Sequence, residues 1–177
     1  MTYLYWILLA LAIWYLSQQA GRLDRLHHRI DVTNAALDSQ LGRRAGIVAE
    51  LAGTSEFDPA TIAVLAQVSH DALAAEPHEL AERIEYENEL TEALVATFDN
   101  SEEVAELRAN PIIHELLNEL ETVCGRVNLS YSFHTEAVGD CNNIRNQFIV
   151  RFFHLAGHAQ LPTVLNLDTE IPPGLVN

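Results

Sequence analysis

Lysine is missing from this 177-residue chain, and all ten of its positive side chains are arginine. Set against 25 acidic residues they leave a formal net charge of −15, which excludes nucleic acid and anionic lipid as general partners because both are repelled over most of the surface. A local basic patch can still depart from that average. Cysteine is nearly absent: Cys124 and Cys141 lie far apart without C-x-x-C spacing, so there is neither a disulfide framework nor a zinc signature, and two reduced, packed thiols are expected. Glycine and proline are sparse between residues 60 and 138 and aromatics make up 7%, which, with plentiful Ala, Leu and Glu, predicts a mainly helical protein. G-x-S-x-G, G-x-x-x-x-G-K and G-x-G-x-x-G patterns are all missing, so hydrolase, P-loop and dinucleotide chemistries have no motif behind them. No internal repeat or low-complexity segment occurs.

What is present begins with an apolar run. From Met1 to Gly21 no side chain is charged, a length that at ~1.5 Å per residue just spans a ~30 Å hydrocarbon layer. Its most apolar part, Tyr3 to Leu16, is short for a span. Tyr3, Tyr5 and Trp6 stand at one end and Trp14 and Tyr15 at the other, the arrangement of interfacial aromatic belts, with Ser17, Gln18 and Gln19 at headgroup level. A cleaved signal would carry positive charge before the run and small residues at −3 and −1 of the cut; no Lys or Arg precedes the run, and Gln18 would fall at −3 if cleavage followed Ala20. The positive residues Arg22, Arg25 and Arg29, then Arg43 and Arg44, all follow the run, which by the positive-inside rule puts the N-terminus outside and the rest in the cytoplasm. The competing expectation is a buried core helix.

Beyond Gly21, Leu23, Leu26, Ile30, Thr33, Leu37, Leu41, Ala45, Val48 and Leu51 step by three and four, so one helix continues out of the apolar run and stops near Gly53. Asp58 and Pro59 restart the chain as N-cap and first helical residue, with Ile62, Leu65, Val68 and Ala72 on one stripe. Pro77 is either a kink or a new first position, after which Leu80, Ile84, Glu87, Leu90 (or Thr91), Leu94 and Phe98 keep helical spacing. Asn110 and Pro111 open a last long helix that runs to near residue 150, using Ile113, Leu117 (or Leu116), Leu120, Val123 (or Cys124), Val127, Tyr131, Val138, Cys141, Arg145 or Ile144, and Phe148. After Gly157 three prolines rule out helix, and Leu161, Val164, Leu165 and Leu167 predict an extended strap whose last five or six residues are loose. The expected fold is therefore all-α: a transmembrane anchor (1–21), an antiparallel bundle of about four long helices (22–157) and a packed extended tail (158–177).

Two stretches, "RLDRLHHRIDVTNAALDSQLGRRAGIVAELA" and "ELETVCGRVNLSYSFHTEAVGDCNNIRNQFIVRFFHLAGHAQLP", resemble the LemA family in its actinobacterial form. The resemblance is carried by Gln40, Leu41, Arg43 and Arg44 in the first and by Arg126, Val127, Leu129, Val138, Val150, Arg151, Leu155, Ala156, Gly157, Ala159, Leu161 and Pro162 in the second. The chain departs from the family pattern at His134 and Thr135, where Tyr-Asn is usual, and at Tyr131, where Arg is frequent. The resemblance implies a single N-terminal span, an N-out topology and an antiparallel helical bundle, with no established catalytic activity.

Eight histidines raise the question of a metal, but no E-x-x-H pair occurs, and His114, Glu115 and Glu119 do not share a helix face. His27 and His28, beside Arg25 and Arg29, extend a headgroup-facing collar; charging near pH 6.5 is the alternative role. Cys124 has no base beside it in sequence, and Arg126 could at most lower its pKa. Glu82, Glu85, Glu87, Glu89 and Glu92, with Glu102, Glu103 and Glu106, form a solvated face or dock a basic partner. Arg145, Phe148, Arg151, Phe152 and Phe153 form a hinge between helix and tail, or an interface hot spot. Together these features predict a non-catalytic scaffold or accessory subunit at the bacterial inner membrane, without cofactor or nucleic acid, bound to the bilayer through its N-terminal helix and to a membrane-protein partner. An accessory role in a respiratory or other multi-protein membrane complex is one alternative, and an enzyme or metal-binding bundle is another.

Overall fold

The computed structural model describes residues 2–75, 80–146 and 166–176. Within them every regular element is helical: α1 (Thr2–Ala52), α2 (Pro59–Ala74), α3 (Leu80–Thr97), α4 (Ser101–Leu107), α5 (Pro111–Arg145) and a 3-10 turn (Pro173–Leu175). The helix starts are where local chemistry puts them. Asp58 accepts from the Ala60 and Thr61 amides at 2.9 and 3.2 Å, satisfying donors that a first turn leaves without partners, and Pro59 stands where a missing N–H costs nothing. Asn110 caps α5 in the same way, accepting from the Ile112 amide at 3.0 Å. The helix α4 was not anticipated by apolar spacing, being too short to show a period. Its signal is the Asn100 cap, which accepts from the Glu102 amide at 3.0 Å, with Glu102 and Glu103 in a first turn that favours negative charge.

The chain divides into two compact units, one of residues 35–132 and 165–177, the other of residues 1–34 and 133–164. In the larger unit Leu37, Leu41, Ala45, Val48 and Leu51 of α1 pack with Leu65 and Ala72 of α2, Leu90, Leu94 and Phe98 of α3, Val104 of α4 and Ile113, Leu117, Leu120, Val123 and Val127 of α5. The expected stripes are the core faces of this helical bundle. The tail corrects its expectation at one end. Residues 166–172 carry no regular structure, but the chain end is docked rather than loose: Leu175 is fully buried, and Gly174 donates to the Phe98 carbonyl at 2.8 Å. Gly174 is required by that close approach, since a Cβ there would lie 2.6 Å from the Phe98 oxygen and 2.9 Å from Val104 Cγ2.

In the smaller unit, Ala137, Val138 and Cys141 of α5 are buried. The expectation of a transmembrane helix is not supported: among the described residues no helix is long and apolar enough to cross a membrane. The physical reason lies in α1 itself, whose apolar composition stops at Leu16 and gives way to Ser17, Gln18 and Gln19 within the same helix.

Candidate membrane-contact site

The first turns of α1 leave large apolar side chains in the open. Tyr3 is 85% exposed, and Leu4, Tyr5, Trp6, Ile7, Leu9, Leu11, Ile13, Trp14 and Tyr15 are all exposed as well. Consecutive residues on an α-helix point about 100° apart, so Tyr3 through Ile7 cover its whole circumference with no polar stripe. Exposed apolar residues scattered singly are ordinary, whereas a continuous apolar cylinder is a contact surface. The aromatic residues expected at membrane interfaces are on it: Tyr5 and Trp6 meet edge to face at 6.2 Å, and Trp14 and Tyr15 lie two to three turns on.

Immediately after this cylinder, in the same unit, Arg22, Arg25, Leu26 and Arg29 of α1 and Asp140, Asn143 and Ile144 of α5 line an open groove of about 550 Å³. Arg25 turns back toward the apolar end and donates through Nε to the Gly21 carbonyl at 3.0 Å. Arg29 bridges Asp140 at 3.1 Å and Glu136 at 3.5 Å in exposed pairs that contribute little to stability. Of the neighbouring histidines, His28 is exposed and His27 is half-buried, with Nε2 unpartnered among the described residues. Farther along the same helix faces, His134 is buried and its Nδ1 lies 3.4 Å from Thr33 Oγ1, which donates its own proton to the Ile30 carbonyl. Burial holds the His134 imidazole below its ordinary pKa. Residue 134 falls between Tyr131 and Val138 on the α5 core stripe, so spacing alone could have placed it.

The larger unit holds a buried ionic cluster that sequence reasoning caught only in part. Arg44, expected with Arg43 among the cytoplasmic positive charges, has a side chain only 1% exposed and lies 2.8 Å from the fully buried Glu87 carboxylate. It donates also to Thr91 Oγ1 at 3.0 Å and to the Glu87 carbonyl at 3.1 Å. Arg83 approaches Glu87 at 4.0 Å and Asp38 at 2.5 Å, balancing two guanidiniums with two carboxylates. Arg43, one residue away, points outward and pairs with Glu119. The Thr91 hydroxyl contacts the Asp168 carbonyl at 3.2 Å, and Asn88 holds the Asn166 carbonyl at 3.1 Å and the Asp168 amide at 2.7 Å, so α3 clasps the C-terminal segment. Glu87 therefore leaves the solvated acidic face, as its position on the α3 apolar stripe requires.

Of the rest of that face, Glu85, Glu89, Glu92, Glu102, Glu103 and Glu106 are exposed, and the Glu82 side chain lies outside the described residues. Glu85, Glu89, Glu92, Asp99, Asp168 and Glu170 line an open groove of about 1200 Å³ on α3 and the C-terminal segment. Both cysteines are buried thiols, and neither forms a disulfide. At Cys124 burial pushes the thiol pKa up, an effect the Arg44 charge only partly offsets; the relevant cation is Arg44 and not the sequence neighbour Arg126. Among the described residues no group of three or more His, Cys, Asp or Glu side chains is placed to hold a metal ion. Phe148, Arg151, Phe152 and Phe153 lie outside the described residues, as do the Arg145 side chain, Pro77 and residues 158–165 of the strap.

Comparison with known proteins adds one finding. A family model described as LemA family matches residues 33–168, from within α1 to the clasped C-terminal segment. The apolar cylinder and the arginines of the groove precede the matched span, while the groove's α5 residues Asp140, Asn143 and Ile144 lie within it. No curated protein and no solved structure matches the chain.

Proposed function

The chain belongs to the LemA family, and from that premise we propose that it is a membrane-anchored, non-catalytic scaffold or accessory subunit at the bacterial inner membrane. One observation carries this: ten large apolar side chains from Tyr3 to Tyr15 on α1 are exposed. Water solvates such a cylinder poorly, and at ~25 cal/mol per Å² of apolar surface its transfer into hydrocarbon is strongly favourable. The helix satisfies its own backbone hydrogen bonds, as a bilayer demands. Its apolar length is short, and a short stretch is accommodated by local thinning of the bilayer and by flanking arginines that reach back to the headgroups. Arg22, Arg25 and Arg29 stand on the side that the positive-inside rule assigns to the cytoplasm, giving an N-out topology with the helical bundle inside the cell.

Binding is the reading for the bundle because its interior is filled by apolar side chains and a charge-balanced ionic cluster, while its acidic groove is open to a basic partner surface. Accessory membership of a respiratory or other multi-protein membrane complex is the narrower form of the same role. The test is cell fractionation with alkaline extraction of the full chain and of a variant lacking residues 3–16, together with a reporter fused at Asn177. Retention of the full chain in the membrane, release of the variant and a cytoplasmic reporter are expected. A full chain that washes off overturns the anchor, and an external reporter overturns the topology.

A further inference from the structure

The arginine groove at the end of the apolar cylinder has a chemistry that anchoring alone does not use. The chain as a whole carries −15, yet three of its ten positive side chains gather within two turns of α1 around one groove. Their surroundings differ. Arg29 is occupied by Asp140 and Glu136, which also neutralises Asp140 inside the groove. Arg25 spends Nε on the Gly21 carbonyl, which leaves its two terminal nitrogens forward, and among the described residues no carboxylate lies within salt-bridge distance of Arg22 or Arg25. Asn143 adds an amide from α5, and Leu26 and Ile144 give the groove an apolar wall. A guanidinium fork binds the oxygens of a phosphate in a bidentate manner, and two forks beside an apolar wall fit a phosphate that carries hydrocarbon.

We propose that Arg22 and Arg25, with Asn143, form a binding site for the phosphodiester headgroup of an anionic phospholipid, whose acyl chains lie along the exposed Tyr3–Tyr15 cylinder. The proposal rests on the membrane placement argued above and adds the lipid class to it. Arg25 supplies the link in geometry, since its Nε bond to Gly21 turns the guanidinium toward the apolar end, where a headgroup attached to inserted chains must lie. The strongly negative net charge sharpens the inference. A chain of −15 is repelled by an anionic surface in general, so any preference for such a surface has to come from a local cationic site.

The experiment compares the full chain on phosphatidylcholine vesicles and on the same vesicles containing phosphatidylglycerol, with the double variant Arg22→Gln/Arg25→Gln alongside. Binding about tenfold tighter on the phosphatidylglycerol vesicles is expected, with that gain weakened by salt and lost in the double variant while binding to phosphatidylcholine is kept. Equal binding of the full chain to both vesicles, or an undiminished preference in the variant, overturns the proposal and leaves the membrane placement standing. Failure to bind either vesicle overturns both. Inorganic phosphate separates the two sources of the same chemistry: if millimolar phosphate abolishes the preference while an equal ionic strength of chloride does not, the groove is a free-phosphate site and the lipid assignment is overturned. Unchanged circular dichroism of the double variant certifies that the comparison concerns binding and not folding.

Discussion

Arg44 on α1 and Glu87 on α3 meet at 2.8 Å with side chains 1% and 0% exposed, an ion pair sealed inside the helical bundle. Taking two charges out of water costs several kcal/mol each, and the cost is offset only while each charge keeps its partner and its hydrogen bonds. The pair is therefore worth little against a well-packed apolar substitute, yet the loss of one member is severe.

Replacing Glu87 by Ala strands the Arg44 charge in the interior and is expected to lower unfolding stability by about 3–5 kcal/mol in urea titrations. The double variant Arg44→Met/Glu87→Leu removes both charges and is expected to recover most of that loss. A double variant as unstable as the single one would contradict the account of stranded charge.

Gly174→Ala places a methyl group 2.6 Å from the Phe98 carbonyl oxygen and 2.9 Å from Val104 Cγ2, neither of which is the far end of a flexible chain. The Phe98–Gly174 hydrogen bond must lengthen, and a loss of about 1–3 kcal/mol is expected. Thermal melts monitored by circular dichroism measure it. A variant that melts with the wild type would mean that the C-terminal turn does not dock on α3 and α4.

The chain's two tryptophans, Trp6 and Trp14, both lie on the exposed cylinder, so selectively excited tryptophan fluorescence reports that segment alone. On addition of phosphatidylcholine vesicles the emission is expected to shift to shorter wavelength and to be quenched by brominated acyl chains, since both rings leave water. Emission that stays at the wavelength of water-exposed indole would remove the support for bilayer contact.

His134 is buried beside Thr33, and burial lowers its pKa from the ordinary 6.5. Below that value the unfolded chain binds a proton that the folded chain still refuses, so stability falls as pH drops from about 6.5 toward the lower folded pKa and is fully present above it. His134→Gln is expected to flatten this part of the pH profile, read as the difference in urea midpoint between neutral and mildly acidic buffer. Equal acid sensitivity in both proteins would show that other groups carry it.

Cys124 and Cys141 are buried and outside any disulfide, and burial raises the Cys124 thiol pKa. Neither should react with an aromatic disulfide reagent at mildly alkaline pH until denaturant opens the fold, because the reactive form is an exposed thiolate. Two thiols reacting in native buffer within the mixing time would contradict this burial.

Much of the fold was legible along the chain. Local rules act on neighbouring residues, so Asp58 with Pro59 and Asn110 with Pro111 announce helix starts, and three-four spacing on α1, α2, α3 and α5 announces the faces that later pack. The same spacing puts Glu87 on an apolar stripe, although the run of acidic residues around it also counts it to the solvated face. What it could not supply was the partner. Arg43 and Arg44 are adjacent and chemically identical, but a helix turns about 100° between them, and only the position of α3 decides that Arg44 is buried against Glu87 while Arg43 pairs outside with Glu119. Docking of Leu175 and the need for Gly174 were equally hidden, because both depend on how close the C-terminal segment comes to the end of α3.

At the other end of α1, sequence alone determined that an uncharged, aromatic-bounded run precedes three arginines, since composition is a property of the chain. Tertiary structure decided two things composition leaves open: that ten large side chains of the run, from Tyr3 to Tyr15, are exposed, and that Arg22, Arg25 and Arg29 share one groove with Asn143 from α5. Hydrophobicity says which side chains leave water, but only packing says whether protein is there to receive them.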